Sequence, residues 1–177
     1  MATGMIERIR GAIRDVPDFP KPGIIFKDIT PVLNDPELFR GVVDTLAARY
    51  APMNIQRIAA VESRGFIFGA PLAAQIGAGL VPLRKFGKLP HDTVAETYDL
   101  EYGTETLEIH TDAVRAGERV VVVDDLLATG GTAAAAIKLI TKAGGSVVEL
   151  AFLVELVFLN GRSKIDGVPV YTMIRYD

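Results

Sequence analysis

The stretch Val120-Val-Val-Val-Asp-Asp-Leu-Leu-Ala-Thr-Gly-Gly-Thr132 decides the fold that this sequence predicts. Four consecutive valines are too short and too β-branched for a helix, and such a run is typical of a strand buried on both faces of a parallel sheet. We expect this strand to stop at the two aspartates. Gly130 and Gly131 then allow a tight turn, and the alanine run from Ala133 predicts a helix.

The turn between this strand and helix is a candidate phosphate-binding loop. It would aim unpaired backbone N–H groups and the positive end of the helix dipole at one point, which favours a phosphate. Asp124 and Asp125 would repel a polyphosphate, so they are better placed to accept hydrogen bonds from ribose hydroxyls. A plain tight turn capped by the aspartates is the alternative, but adjacent carboxylates before a Gly-Gly turn favour a sugar-phosphate site. The chain contains neither the P-loop motif nor the dinucleotide-binding glycine motif.

A second strand, loop and helix unit precedes this one. Ile58–Glu62 reads as a buried strand, Ser63-Arg64-Gly65 as a loop, and residues from about Ile67 to Ile76 as an apolar helix. Arg64 could simply be solvated, as loop arginines usually are. Two such units in one small sheet nevertheless favour a second phosphate site.

A cationic segment follows the next short strand, Leu80–Leu83. It contains Arg84, Lys85 and Lys88, and charge runs of this kind are usually solvated surface. The segment opens a polar stretch, from about residue 87 to 104, that has no apolar periodicity. A structureless stretch of this length inside a compact domain is either disordered or a functional lid.

The remaining segments predict helices, strands and an arm in which the pattern alone indicates no chemistry. Residues from about Met5 to Val16 form an amphipathic helical pattern, and the proline-stiffened segment Pro17–Pro31 predicts an ordered arm whose role the pattern leaves open. Asp35-Pro36 predicts a helix start. Ser146–Val154 predicts a buried strand, and residues 168–174 predict a last strand at a sheet edge.

Composition narrows the function further. A chain of 177 residues with 49% hydrophobic residues predicts one globular domain, and a net charge of −3 provides no basic footprint for nucleic acid. The absence of cysteine excludes disulfides and thiolate metal sites and suits the cytoplasm. We expect no signal peptide, no membrane segment and, with only two histidines, no tight transition-metal site. A Mg²⁺ ion carried by a polyphosphate substrate fits the composition better.

The stretch from Val120 to Thr132 resembles the phosphoribosyl-diphosphate (PRPP) signature of the type I phosphoribosyltransferases, and its Leu-Leu-Ala resembles the adenine-specific branch. Four further motifs, in the same order as in that branch, extend the resemblance from about Pro17 to the chain end. They are the hood segment Phe19–Pro31, the acidic-Ser-Arg-Gly loop Glu62–Gly65, the lid stretches Arg84–Pro90 and Tyr98–Gly103, and Val154–Arg162. The resemblance implies a single domain, residues 1–177, of α/β fold, with a mostly parallel central sheet flanked by helices. It also implies a hood from about residue 15 to 34 and a flexible lid loop from about residue 87 to 104.

The resemblance further implies a role for individual residues. Glu101 would transfer a proton at the base, and Tyr102 would help seal the lid. Three binding groups are implied: Asp124, Asp125, Ala128, Thr129, Gly130, Gly131 and Thr132 for ribose 5-phosphate; Glu62, Ser63, Arg64, Arg84, Lys85 and Lys88 for pyrophosphate; and Ile25, Phe26, Lys27 and Leu159 for adenine.

The implied reaction converts adenine and PRPP to AMP and pyrophosphate, with Mg²⁺ carried by PRPP and the chain acting as a homodimer. Two alternatives stay open. A phosphoribosyltransferase for another base, such as xanthine or orotate, would keep residues 120–132 but would not need the Phe26 hood or the motif from Tyr98 to Gly103. A PRPP-sensing regulator would need a basic DNA-binding module, for which the sequence gives no sign.

Overall fold

The computed structural model describes residues 2–99 and 103–177. The chain divides into two compact units, Met1–Ala48 and Arg49–Asp177, and each unit is described by itself. In the described residues no helix has the length and apolarity that crossing a bilayer would require.

The N-terminal unit combines helices with a small hairpin. Its strands pair antiparallel, from Arg14 opposite Asp28 to Pro17 opposite Ile25. The elements of this unit are α1 (Ala2–Ala12), β1 (Arg14–Pro17), β2 (Ile25–Asp28), α2 (Thr30–Asn34) and most of α3 (Pro36–Tyr50).

Two predictions for the N-terminal unit had different outcomes. The prediction that the first helix reaches Val16 was wrong. Helix α1 ends at Ala12, because Arg14–Pro17 forms a strand that pairs with β2. The predicted start of α3 is confirmed. Asp35 Oδ1 accepts hydrogen bonds from the backbone N–H groups of Glu37 at 2.9 Å and Leu38 at 3.1 Å, as expected of a helix cap.

The larger unit is built on one sheet. Its described elements are β3 (Arg57–Val61), α4 (Arg64–Ile76), β4 (Gly79–Lys85), β5 (Thr93–Asp99), β6 (Thr104–His110), β7 (Arg119–Leu127), α5 (Gly131–Lys142), β8 (Ser146–Leu156) and β9 (Val170–Tyr176). The strands lie in the order β5-β6-β4-β3-β7-β8-β9. Neighbours from β4 to β9 pair in parallel, whereas β5 and β6 add an antiparallel hairpin at one edge. The predicted α/β fold with a mostly parallel sheet is confirmed.

The core forms around the four valines at the start of β7, each at most 1% exposed. Because β7 lies between β3 and β8 with helices packed on the sheet, its side chains are buried on both faces, as β-branched runs in parallel sheets usually are. Leu139 and Ile140 of α5 belong to the same buried group. This burial fixes the end of β7, from which the candidate site extends.

Two predicted boundaries in this unit were wrong. Strand β7 does not stop at the aspartates, because Asp124, Leu126 and Leu127 still pair with β8. Helix α4 begins at Arg64 rather than at about residue 67, so Arg64 and Gly65 form its first turn instead of a loop. The loop reading failed because those two residues carry no apolar signal.

The stretch from 87 to 104 was also predicted to have no regular structure, and this was wrong for Thr93–Asp99, which forms β5. Every residue of β5 pairs with β6. Val94 and Tyr98 pack against the core. Because the polar Glu96 takes the position between them on the same face of the strand, the alternation of apolar and polar residues that indicates a strand is interrupted.

Candidate active site

The candidate site lies at the carboxyl ends of neighbouring parallel strands. Glu62 follows β3, Lys85 ends β4, and the aspartate pair lies in β7 between them and β8. Ligand sites of open α/β sheets form at this edge. A cavity of about 420 Å³ opens there, lined by Glu62, Ser63, Arg64, Lys85, Lys88, Asp124 and Asp125. The structure therefore brings the second strand-loop-helix unit, part of the cationic segment and the aspartates together.

Glu62 organises the basic side of this cavity. Its carboxylate pairs with the Lys88 ammonium, accepts a hydrogen bond from the Lys85 backbone N–H at 3.0 Å, and pairs with Arg84 Nε at 3.3 Å. Burial alone would raise the pKa of Glu62, but these three donors outweigh it and lower the pKa to about 2. An ionised carboxylate only accepts hydrogen bonds. Glu62 therefore holds the basic groups in position and cannot itself donate to a phosphate.

The first turn of α4 brings Arg64 to the aspartate pair. Arg64 Nε lies 2.6 Å from Asp125 Oδ2, and Asp125 is only 6% exposed. The helix can come this close because residue 65 is glycine: a Cβ there would lie 2.5 Å from the backbone oxygen of Val123 in β7. Sequence reasoning gave Gly65 no packing role, since a glycine after a loop arginine looks like ordinary turn chemistry.

Asp124 is the neighbour of this ion pair. It forms no ion pair with any residue that the structure describes, and its Oδ1 accepts the backbone N–H of Asp125 at 2.9 Å. Burial and the negative charge of Asp125 raise the pKa of Asp124 well above its ordinary value. A carboxyl group with a raised pKa can donate as well as accept hydrogen bonds, which suits a site for sugar hydroxyls.

The candidate phosphate-binding loop, residues 128–132, joins β7 to the first turn of α5 and is called the phosphate loop. Gly130 has a φ of +80°, and a Cβ on it would lie 2.1 Å from the backbone oxygen of Gly161. Both requirements exclude a side chain, so the glycine fixes how tightly the loop turns. A smaller cavity of about 70 Å³ is lined by residues 126–133 together with Val61, Val122, Asp124 and Phe152. The backbone N–H groups of the first turn of α5 have no intrahelical acceptor and can face an anion there.

This arrangement can be compared with known proteins. The family model for the phosphoribosyl transferase domain matches residues 32–167. An adenine phosphoribosyltransferase of a Roseiflexus species is 55% identical over 172 residues, which is 97% of this chain and 100% of that protein. The chain belongs to the adenine phosphoribosyltransferase family.

Solved structures of the adenine phosphoribosyltransferase family share its fold. The enzyme from Thermoanaerobacter pseudethanolicus superposes with a TM-score of 0.93 at 54% identity, covering 97% of this chain and 99% of that one. The enzyme from Saccharomyces cerevisiae, in complex with adenine and an imino-altritol bisphosphate, has a TM-score of 0.92 at 40% identity, again over 97% and 99% of the two chains. The resemblance inferred from the motifs is thus confirmed at the level of the family.

Leu159, implied as an adenine contact, ends a short 3-10 segment, Val157–Leu159, after β8. Arg162 lies in the turn that follows, Gly161–Lys164, and makes a two-point contact, with Nε and Nη2 each 2.7 Å from the carboxylate of Glu155. Glu155 is 3% exposed, and its paired arginines and Thr172 lower its pKa. A Cβ on Gly161 would lie 2.2 Å from the backbone oxygen of Ala128, so this turn packs directly on the phosphate loop.

The other implied adenine contacts lie on β2 in the N-terminal unit. Ile25 is 55% exposed, and the Phe26 ring meets the Phe19 ring edge to face with centroids 5.2 Å apart. Lys27 Nζ lies 2.6 Å from Asp15 Oδ1, so the lysine side chain is part of the hairpin. This leaves backbone groups as the part of Lys27 that can read a base edge.

Glu101 and Tyr102, the predicted proton-transfer residue and lid residue, lie outside the residues that the structure describes. Their roles therefore stay predictions. The described residues contain no group of three or more His, Cys, Asp or Glu side chains that could hold a metal ion.

Proposed function

We propose that this chain transfers the phosphoribosyl group of PRPP to adenine and releases AMP and pyrophosphate. The observation that carries the proposal is the meeting of two differently built anion-binding segments at one sheet edge, with a carboxylate pair beside them. One segment offers backbone N–H groups at a helix start, as a single phosphate requires. The other offers side-chain cations, which suit a pyrophosphate. Family membership supports adenine as the acceptor.

The reaction breaks the bond between C1′ of the ribose and the pyrophosphate oxygen and forms a bond between C1′ and N9 of adenine. Pyrophosphate leaves with the bonding electron pair, and the proton on N9 must pass to a base, the role proposed for Glu101. The protein contributes position and charge: residues 128–132 hold the 5′-phosphate, and Arg64, Arg84, Lys85 and Lys88 face the departing pyrophosphate. Asp124 and Asp125 would hold the ribose hydroxyls between them.

Adenine recognition is proposed for Phe26, whose ring would stack on the base, for the backbone of Ile25 and Lys27, and for Leu159. Aromatic rings stack well on flat heterocycles, and strand backbone offers both donors and acceptors to a base edge. Tyr102 and the hairpin formed by β5 and β6 would exclude water, which otherwise competes with adenine for the oxocarbenium-like C1′.

We propose that PRPP enters as its Mg²⁺ complex. Each basic side chain around the cavity already contacts a carboxylate: Arg64 contacts Asp125, Arg84 and Lys88 contact Glu62, and Lys85 contacts Glu105. These three carboxylates offset most of the charge of the four basic side chains, which would therefore position a polyphosphate but add little net positive charge against it. Mg²⁺ carried by the phosphate oxygens of PRPP would supply that charge, and Asp124 and Asp125 would stay with the ribose hydroxyls.

Two further properties are proposed from the family resemblance and composition. A chain without cysteine suits the cytoplasm. Large apolar side chains remain exposed in the Arg49–Asp177 unit, among them Phe86 at 74% and Phe158 at 64%, and a homodimer would cover such surface.

The experiment mixes purified protein with PRPP and Mg²⁺ and, in separate tubes, adenine, hypoxanthine, guanine, xanthine, orotate or uracil, and the nucleotide product is identified. AMP as the single strong product is expected. Asp125→Asn, purified in the same way, controls for contaminating host enzymes and should lose the product, because Arg64 loses its charged partner. A nucleotide of another base would contradict the adenine assignment. The absence of any nucleotide, with PRPP still bound, would favour a PRPP-sensing regulator.

A further inference from the structure

A line of four side chains connects the cationic segment to the phosphate loop across the antiparallel edge of the sheet. Lys85 of β4 lies opposite Leu107 of β6, so Glu105, two residues earlier on β6, is its diagonal neighbour on the same face. Tyr98 of β5 lies directly opposite Glu105. Register alone therefore places these three side chains in one row.

The side chains in this row contact one another. Lys85 Nζ lies 2.5 Å from Glu105 Oε1, and the Tyr98 hydroxyl donates to Glu105 Oε2 at 2.9 Å. The Thr132 hydroxyl, in the first turn of α5, lies 3.2 Å from the Tyr98 oxygen. The row thus begins at a residue assigned to pyrophosphate and ends at a residue assigned to the 5′-phosphate.

The direction of the hydrogen bonds in the row is fixed by chemistry. The Lys85 hydrogen bond lowers the pKa of Glu105, so its carboxylate is ionised at neutral pH and can only accept. Burial and the charge of Glu105 raise the pKa of Tyr98 to about 12, so the phenol stays protonated and donates a hydrogen bond to Glu105. The Tyr98 oxygen then accepts the Thr132 hydroxyl proton. Glu105 therefore contacts Lys85 at one end of the row directly and reaches Thr132 at the other end through Tyr98.

We propose that Glu105 is a positioning residue of the transferase site: it orients Lys85 toward the pyrophosphate and, through Tyr98, orients Thr132 in the phosphate loop. The inference rests on the proposed function, since it assigns the two ends to two parts of PRPP. Glu105 touches neither part of the substrate. Its effect is to order two flexible or rotatable donors before the substrate arrives, which strengthens binding at both ends.

The test measures, by calorimetry, the separate affinities of the full chain for ribose 5-phosphate and for pyrophosphate with Mg²⁺. Glu105→Ala should weaken both by about three- to tenfold, the range of one lost hydrogen bond. Tyr98→Phe should weaken ribose 5-phosphate alone, because the pair of Glu105 and Lys85 remains. Glu105→Gln should weaken pyrophosphate alone, because the amide oxygen still accepts the Tyr98 proton. In the double variant of Glu105→Ala and Tyr98→Phe, ribose 5-phosphate should bind as in Glu105→Ala.

Glu96→Ala is the matched control. Glu96 lies on the same hairpin and pairs with two lysines of α5, Lys138 at 3.1 Å and Lys142 at 2.5 Å, but it is not part of the row. Both affinities should stay within about twofold in this variant, below the loss of one hydrogen bond.

Any one of four results would overturn the inference. Equal losses in Glu96→Ala and Glu105→Ala would mean that the hairpin only needs to be stable. A loss confined to pyrophosphate in Glu105→Ala would show that the part of the row beyond Glu105 has no effect, and unchanged affinities would show that Lys85 needs no partner. A wild-type chain that binds neither anion would contradict the proposed function itself, and the inference with it.

Discussion

At the scale of single residues, Gly130 and Gly161 determine how closely two binding segments approach. The backbone oxygen of Gly161 occupies the place where a Cβ on Gly130 would stand, and the backbone oxygen of Ala128 does the same for Gly161. The backbone of the phosphate loop therefore lies directly against the backbone of the turn that follows Leu159. This contact would set the spacing between the proposed 5′-phosphate site and the proposed adenine contact.

Gly130→Ala is expected to lower the free energy of unfolding by about 2–4 kcal/mol, because it adds a steric clash to the strain of a positive φ. It should also remove most PRPP affinity, since the loop must move away from Gly161. Chemical denaturation and calorimetry measure the two effects. Gly117→Ala is the control: its φ of +78° is similar, but no atom lies within 4 Å of the added Cβ. This variant should lose only about 1 kcal/mol and keep PRPP affinity; equal effects of the two variants would contradict the clash.

Glu62→Gln tests the role of the Glu62 carboxylate through pH. The folded-state pKa of about 2 lies below the ordinary value of 4.5, so the ionised group stabilises the fold above pH 4.5 and loses this effect as the pH falls toward 2. The free energy of unfolding of the wild type should exceed that of the variant by about 2–3 kcal/mol at pH 7, and the two values should converge near pH 2. Denaturation curves across this range measure the difference. A difference between the wild type and Glu62→Gln that does not change with pH would contradict the assignment.

At the scale of elements, the sequence predicts best those segments whose burial is uniform. The valine run of β7 and the apolar run of β8 are buried on both faces, so hydrophobicity alone identifies them. The start of α4 and the strand β5 were missed for a common reason: their residues are fixed by polar partners that lie far away in sequence. Arg64 is held by Asp125, and Glu96 by Lys138 and Lys142, and no local pattern contains those pairs.

The turn after β8 is held by the contact between Arg162 and Glu155, which allows its role to be tested. Arg162→Lys would replace a two-point contact to the buried Glu155 with a single point charge. We expect a loss of about 1–3 kcal/mol in the free energy of unfolding and a KM for adenine that rises more than the KM for PRPP, because Leu159 loses its fixed position. Steady-state kinetics with each substrate varied in turn measures the split. Arg175→Lys is the matched control for Arg162→Lys, since Arg175 also pairs with Glu155, at 3.3 Å, but lies on β9. Equal rises in both KM values would contradict a role confined to the base.

At the scale of the whole molecule, the motifs of the sequence predicted the family, the fold and the set of residues that meet at the sheet edge. They could not predict how charge is arranged there. Residues 62 and 105 illustrate this: Glu62 was expected to be one more pyrophosphate contact and Glu105 was given no role, yet both pair with lysines of the same cationic segment. Pairing of this kind depends on strand register, which becomes visible only when the strands are placed side by side.

The charge of the molecule leads to the last prediction. The chain carries a net charge of −3, and three carboxylates offset most of the charge of the four basic side chains of the site, so long-range attraction for a polyphosphate is weak. PRPP affinity should therefore fall at least about tenfold, or 1.4 kcal/mol, when EDTA removes Mg²⁺. Calorimetry with PRPP in Mg²⁺ and in EDTA measures the change, and ribose 5-phosphate serves as the control because its phosphate is proposed to bind backbone N–H groups rather than paired cations. Equal PRPP affinity with and without Mg²⁺ would mean that the basic side chains leave their carboxylates and neutralise the substrate alone.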